Sequence, residues 1–140
     1  MDRTIIAREP AEMEDIGIDL ARDLKDGDLV SLVGPLGAGK TTLTKGIAKG
    51  LLITDLVVSP SYLLAREYTG RLQLHHIDAY RLSSMNELAE VGLDALLPPE
   101  AGVSVVEWPE RIDGLVEISD ILVTIEFLEN GARQVSVSRP

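Results

Sequence analysis

Leu29, Val30, Leu32 and Val33 make a short, largely apolar run around Ser31 that stops at Gly34, the pattern of a buried strand. Around that run the hydrophobic positions fall into two periods. Met13, Ile16, Leu20 and Leu24 recur at intervals of three or four behind Pro10, which suits the first turn of a helix, so the spacing predicts an amphipathic helix. Acidic residues between them form its solvated face, and Gly27 closes the segment with a turn. Thr42, Leu43, Ile47 and Leu51 predict a second helix after the Leu29–Val33 strand, with Gly50 as its terminator. Thr4 to Ala7 reads as a short strand.

The second half is richer in the two-residue period. Tyr62 to Tyr68 and Leu72 to Tyr80 read as strands joined by Thr69-Gly70-Arg71, a compact hairpin connection. In the second of these, Leu72, Leu74, His76, Asp78 and Tyr80 alternate onto one face. Ser84 and Glu87 have capping-box spacing. Leu88, Val91 and Ala95 continue an apolar side until Gly92 and Pro98-Pro99 break the region into two short helices. Val103 to Glu107 is an apolar strand ending in a carboxylate. Ile121–Phe127, the turn Glu129-Asn130-Gly131 and Ala132–Ser138 make a final hairpin, with Asn-Gly favouring its turn.

The chemistry sits where the Leu29–Val33 run ends. Gly34-Pro35-Leu36-Gly37-Ala38-Gly39-Lys40-Thr41 has the G-x-x-x-x-G-K-[ST] spacing of a phosphate-binding loop. Gly34, Gly37 and Gly39, with Ala38 between the last two, let backbone N–H groups turn inward around a phosphate. Lys40 reaches the β- and γ-phosphates, and the Thr41 hydroxyl ligates magnesium. Thr41 and Thr42 open a helix whose N-terminal end faces the anion. Strand, loop and helix together, with two hairpins, give an α/β fold: a P-loop NTPase-like three-layer sandwich with a mixed central sheet and antiparallel hairpins. The chain reads as one domain over residues 1–140.

Two carboxylates fall where such a site needs them. Glu107 ends its strand, and ligands of open α/β sheets lie beyond the carboxyl ends of the strands. Asp78 follows leucines and a histidine on one strand face, as though that face leaves the core for a polar site. Either carboxylate can ligate magnesium or orient the attacking water. His76 reads more simply as a buried, hydrogen-bonded residue than as a metal ligand. Ser59-Pro60-Ser61-Tyr62 is either a loop approaching the γ-phosphate or an ordinary surface turn. Trp108 lies near the nucleotide, covers a partner surface or packs the core. An arginine contribution can come from Arg66, Arg81 or a partner.

Composition narrows the setting. Thirteen basic against 23 acidic residues give a formal charge of −10, which disfavours strong autonomous binding to a nucleic-acid backbone. No apolar run approaches the 18 residues or so of a membrane span, and the start lacks a secretory pattern. The chain has no cysteine, so a disulfide framework is excluded and a cytoplasmic location is expected.

Taken together, these blocks resemble the TsaE family of small bacterial ATPases required for threonylcarbamoyladenosine modification of tRNA. The markers are Gly37-Ala38-Gly39-Lys40-Thr41-Thr42, Ser59-Pro60-Ser61-Tyr62, Glu67-Tyr68, His76-Ile77-Asp78-Ala79-Tyr80-Arg81-Leu82 and Val106-Glu107-Trp108-Pro109-Glu110-Arg111. The last two blocks in this order are far more specific than the phosphate loop. The resemblance implies ATP hydrolysis with magnesium, alongside TsaB and TsaD, which transfer a threonylcarbamoyl group to adenosine 37 of tRNA. Contact with tRNA is then only indirect, and the ATP cycle is a reset or conformational-drive step. It further implies Lys40 and Thr42 at the phosphates, Thr41 and Glu107 around magnesium, Asp78 near the metal and attacking water, 59–62 as a switch-like loop, and Trp108 linked to the active site. Two positions depart from the family pattern. Pro35 stands where an acidic residue is usual and Val58 where a threonine is usual, which removes a carboxylate and a backbone donor from the loop and a hydroxyl from the switch-like segment.

Other classes fit less well. A nucleotide-gated interaction module, in which ATP occupancy controls docking and hydrolysis is incidental, is the alternative. A small-molecule kinase lacks a separate acceptor pocket and an arginine-bearing lid in the sequence. A GTPase lacks an N-K-x-D segment.

Overall fold

The structure is a computed structural model that describes residues 2–60 and 63–139. Among the described residues seven strands form one sheet: β1 (Asp2–Ala7), β2 (Leu29–Val33), β3 (Ala65–Thr69), β4 (Gln73–Asp78), β5 (Val103–Glu107), β6 (Ile121–Phe127) and β7 (Arg133–Ser138), in the spatial order β1-β7-β6-β2-β5-β4-β3. The middle is parallel, with β2 between β5 and β6 and β4 beside β5. Both flanks are antiparallel, β3 on β4 and β1-β7-β6. This is the expected mixed sheet.

Helices α1 (Pro10–Ala21) and α2 (Lys40–Gly50) cover one face, and α3 (Met85–Glu90) with the 3-10 turns Asp94–Leu96 and Pro109–Arg111 belongs to the other. Side-chain alternation along the strands supplies both layers. Val30, Leu32, Leu74, Val103 and Val105 join the α1/α2 core, while Leu29, Ile77 and Val106 join the core containing Leu88, Ile112 and Leu115. Burial on both faces explains why β2 reads as a largely apolar run, and its one polar residue, Ser31, is buried with its hydroxyl bonded to that of Ser119. Among the described residues no helix is long and apolar enough to cross a membrane.

Glycine sets the distance between α1 and α2. A Cβ at Gly17 would strike the Leu43 carbonyl oxygen, one at Gly46 the Glu14 carbonyl oxygen, and one at Gly50 would lie 2.5 Å from Ala21 Cβ. Gly50 does end α2, but its lack of a side chain serves this close approach. The left-handed residue after the helix is Leu52, with φ of 63°. The β3–β4 hairpin is tied to the same helix ends: Arg71 donates its backbone N–H to Leu51 O at 2.5 Å and its guanidinium to Ala21 O at 2.9 Å. A cation at two helix C-termini also complements their dipoles.

Three boundaries differ from expectation. The strand expected over 62–68 begins at Ala65, after Leu64 adopts φ of 67°, and Tyr62 lies outside the described residues. Tyr80 is beyond the end of β4 instead of on its face, because the chain turns after Asp78, whose carboxylate accepts the Tyr80 N–H. Helix α3 starts as expected, with the Ser84 hydroxyl accepting Glu87 N–H at 3.2 Å. It stops at Glu90, leaving Val91 exposed, and Gly92 takes φ of 78°.

Candidate functional site

The loop between β2 and α2 is shaped by its glycines. Gly37 and Gly39 have φ of 78° and 110°, a region that costs any residue with a Cβ. Gly34 leaves too little room for a side chain, since a Cβ there would sit 3.1 Å from Ile125 O and 3.2 Å from Ala38 Cβ. Pro35 does not disturb this turn, since its carbonyl accepts Ala38 N–H at 3.1 Å.

Lys40 begins α2 and is nearly fully buried. Its ammonium donates to Gly34 O at 2.6 Å and lies 3.4 Å from the centroid of the Trp108 ring, a cation–π arrangement. Burial pushes its pKa below the usual lysine value, opposed by the negative charges of Glu107, Glu110 and Asp78. Trp108 reaches this place by adopting φ of 60° directly after β5, and its ring meets Tyr80 edge-on at 5.0 Å. Arg111 lies over the other ring of that pair, 4.5 Å from the Tyr80 centroid.

The parallel pairing of β4 with β5 sets Asp78 directly beside Glu107 at the carboxyl ends of both strands. Glu107 Oε2 accepts the Thr41 hydroxyl at 3.2 Å and lies 2.6 Å from His76 Nε2. Asp78 Oδ1 accepts Tyr80 N–H at 2.9 Å. Burial raises the Asp78 pKa, and the Glu107 charge adds to the rise, while the Tyr80 N–H, His76 and Lys40 counter it.

That shift has a stability consequence. Above the ordinary value of 3.8 the unfolded carboxyl gives up its proton more readily than the folded one, so ionisation works against the fold as pH rises. Asp78→Asn keeps an oxygen for the Tyr80 N–H and removes the buried charge. It should raise Tm near neutrality, and the gain should vanish as pH falls to the ordinary aspartate range, followed by thermal melts across pH. An unchanged or lowered Tm at neutrality would contradict this account.

A cavity of about 530 Å³ opens over these groups. Gly37, Ala38, Gly39, Lys40, Thr41, Thr42, Ser59, Asp78, Glu107 and Trp108 all line it, joined by Leu36, Tyr80 and Arg81. Gly34 lies behind the cavity and meets it only through the lysine it accepts from. Pro60 is buried and does not line it, and Ser61 and Tyr62 lie outside the described residues. Arg66 is on β3 opposite His76, away from the lining. Val58 is held by the Tyr68 hydroxyl, which lies 3.3 Å from its N and 3.4 Å from its O.

A second cavity of about 140 Å³ adjoins the other side of the loop, sharing Gly37, Ala38, Gly39 and Thr42 with the first. Ala7 to Pro10, Met13 and Arg133 complete it. Arg133 donates to Gly37 O at 3.2 Å and lies 4.8 Å from the Phe127 ring centroid. Sequence reasoning did not select Arg133, because only the pairing of β7 with β1 and β6 carries it to the loop.

Among the described residues no three His, Cys, Asp or Glu side chains converge as an all-protein metal centre. The donors beside the loop are a hydroxyl and two carboxylates, an oxygen-only set suited to a hard cation that keeps several waters and takes one or two carboxylates together with phosphate oxygens.

The family model "Threonylcarbamoyl adenosine biosynthesis protein TsaE" matches residues 7–135. The protein of that name from Treponema pallidum is 34% identical, over 95% of this chain and 98% of its own. The one from Bacillus subtilis is 38% identical, over 91% and 79% respectively. Among solved structures, Bacillus subtilis YdiB superposes with a TM-score of 0.80 at 32% identity, covering 99% of this chain and 86% of YdiB. With the family pattern running from the end of β1 into β7 and the Treponema pallidum relative matching nearly end to end, the chain belongs to the TsaE family.

Proposed function

We propose that the chain binds ATP with magnesium and hydrolyses it in support of threonylcarbamoyl transfer by TsaB–TsaD to adenosine 37 of tRNA, as a reset or conformational-drive step in the cytoplasm. One observation carries the reading: a buried lysine and a threonine at the start of α2 share a cavity of about 530 Å³ with two adjacent strand-end carboxylates, one already bonded to that threonine.

On this reading the triphosphate lies in the larger cavity and the nucleoside extends toward the smaller one beside Arg133. Backbone N–H groups from Gly37 to Thr41 hold the phosphate oxygens. Lys40 gives up Gly34 O and the Trp108 face and turns to the β- and γ-phosphates. Thr41 and Glu107, with Asp78 beside them, would hold magnesium, which stabilises charge on the transferring phosphoryl group when bound. Asp78 or Glu107 accepts a proton-bearing edge of the attacking water and keeps it in line with the leaving oxygen. TsaB and TsaD are the expected partners, with tRNA contacted through them.

The position of Lys40 also favours a second reading, a nucleotide gate. Phosphate must displace the ammonium from Gly34 O and Trp108, so occupancy alone changes the surface around Trp108 and Tyr80. Multi-turnover phosphate release with and without TsaB–TsaD separates the two. Stimulated turnover required for tRNA modification is the expected result. Repeated rounds of modification with a non-hydrolysable ATP analogue would replace hydrolysis by the gate.

A further inference from the structure

His76 lies in β4, whose other buried side chains are Leu74, His75 and Ile77. Leu74 and Ile77 are fully buried, and His76 is buried as completely. Its ring makes one polar contact among the described residues, Nε2 to Glu107 Oε2 at 2.6 Å, and Nδ1 is buried with no hydrogen-bond partner. An orphaned ring nitrogen in the core works against folding, and an apolar side chain would avoid it. The ring is therefore better explained by its one bond than by packing.

The same contact fixes the direction of the bond. A carboxylate only accepts hydrogen bonds, so Nε2–H is the donor, and Nδ1 is the ring nitrogen left unpartnered. Glu107 Oε2 thus receives two donors from two elements, the imidazole N–H of β4 and the Thr41 hydroxyl of α2. Oε1 receives no hydrogen bond among the described residues.

We propose that His76 is a positioning residue for the magnesium site: its Nε2–H pins Glu107 Oε2, holding the carboxylate in one orientation beside Thr41 and leaving Oε1 for the metal or its water. The inference rests on the reading of Glu107 as a magnesium-side carboxylate. Outer partners of this kind orient a metal's ligands without touching the metal.

Two amide substitutions separate this role from a packing role. His76→Gln places an amide N–H near the position of Nε2, whereas His76→Asn places one near Nδ1 and is too short to reach Glu107. Both are polar and similar in bulk, so a purely structural histidine would suffer from each alike. The readout is ATP affinity of the full chain from the fluorescence of its single tryptophan, Trp108, first in EDTA and then across a magnesium titration. His76→Asn should raise the magnesium concentration for half-maximal effect by about tenfold, and His76→Gln by no more than about threefold, with affinity in EDTA unchanged in both. In a Glu107→Gln background, His76→Asn should add nothing.

Equal shifts in the two variants would overturn the proposal, as would a magnesium response untouched by His76→Asn or a full extra loss on top of Glu107→Gln. Wild-type protein that binds ATP with no dependence on magnesium would instead overturn the functional reading beneath it, an outcome visible before any variant is made.

Discussion

Replacing Lys40 with alanine should lower partner-stimulated phosphate release by about a hundredfold or more, the size of effect seen when one preorganised charge donor is removed from a transition state. The ammonium is nearly fully buried at the head of α2 and enters the same cavity as Glu107 and Asp78. Without it, the developing charge on the phosphoryl oxygens faces two carboxylates with no lysine to offset them. Stability should change far less. Truncation strips Gly34 O of its donor and Trp108 of its cation, but it also removes a charge whose pKa burial has pushed down. Lys40→Arg should not rescue turnover, since a planar fork cannot replace a compact ammonium in so closed a position. Phosphate release with TsaB–TsaD and a thermal melt of each variant decide the matter. Near-wild-type stimulated release by Lys40→Ala would end the proposed mechanism.

The second large effect lies away from the cavity. Gly46→Ala should destabilise the chain by about 3 kcal/mol, at the upper end of the usual overpacking cost, and lower Tm by roughly 10 °C. The added methyl meets the Glu14 carbonyl oxygen, a backbone atom of the facing helix that cannot swing aside. Helix propensity pulls the other way, favouring alanine over glycine by about 1 kcal/mol, and is outweighed. Gly114→Ala supplies the contrast, because its φ is 85° but nothing lies within 4 Å of the new methyl. It should cost only about 1 kcal/mol, the strain of a left-handed residue. If the two variants melt together, helix separation is not what Gly46 protects.

These two substitutions also mark what could be read before the structure. Lys40 is legible because the features that mark it lie in one short window, a largely apolar strand, three glycines and a helix start, whereas its contact with Trp108 has no local signal. Asp78 and Glu107 are legible one at a time, the first on a strand face that turns polar and the second at a strand end, and the register that sets them side by side requires β4 and β5 to pair in parallel. Gly46 carries no signal in period or propensity and Gly50 reads there as a terminator, since both describe a helix without its partner. Spaced four apart, the two glycines do share a face, and that was the available signal. Arg133 gave none. It lies in the second strand of a hairpin that the Asn130-Gly131 turn predicted, but its approach to Gly37 depends on where that hairpin joins the sheet. His76 was expected to be buried and hydrogen-bonded, as it is, though no local pattern named Glu107 as its partner.

The pairing of Asp2–Ala7 with Arg133–Ser138 orders events as the chain is made. Strand β1 emerges before the other described elements, yet the strand it must zip onto follows all of them. Until β7 emerges Ala7 and its neighbours have no ladder, and Arg133 is absent from the loop it will bond. The phosphate loop can form between β2 and α2 long before, but the smaller cavity beside it closes only with β7. A chain stalled short of β7 would therefore carry the phosphate cradle without the wall at Arg133.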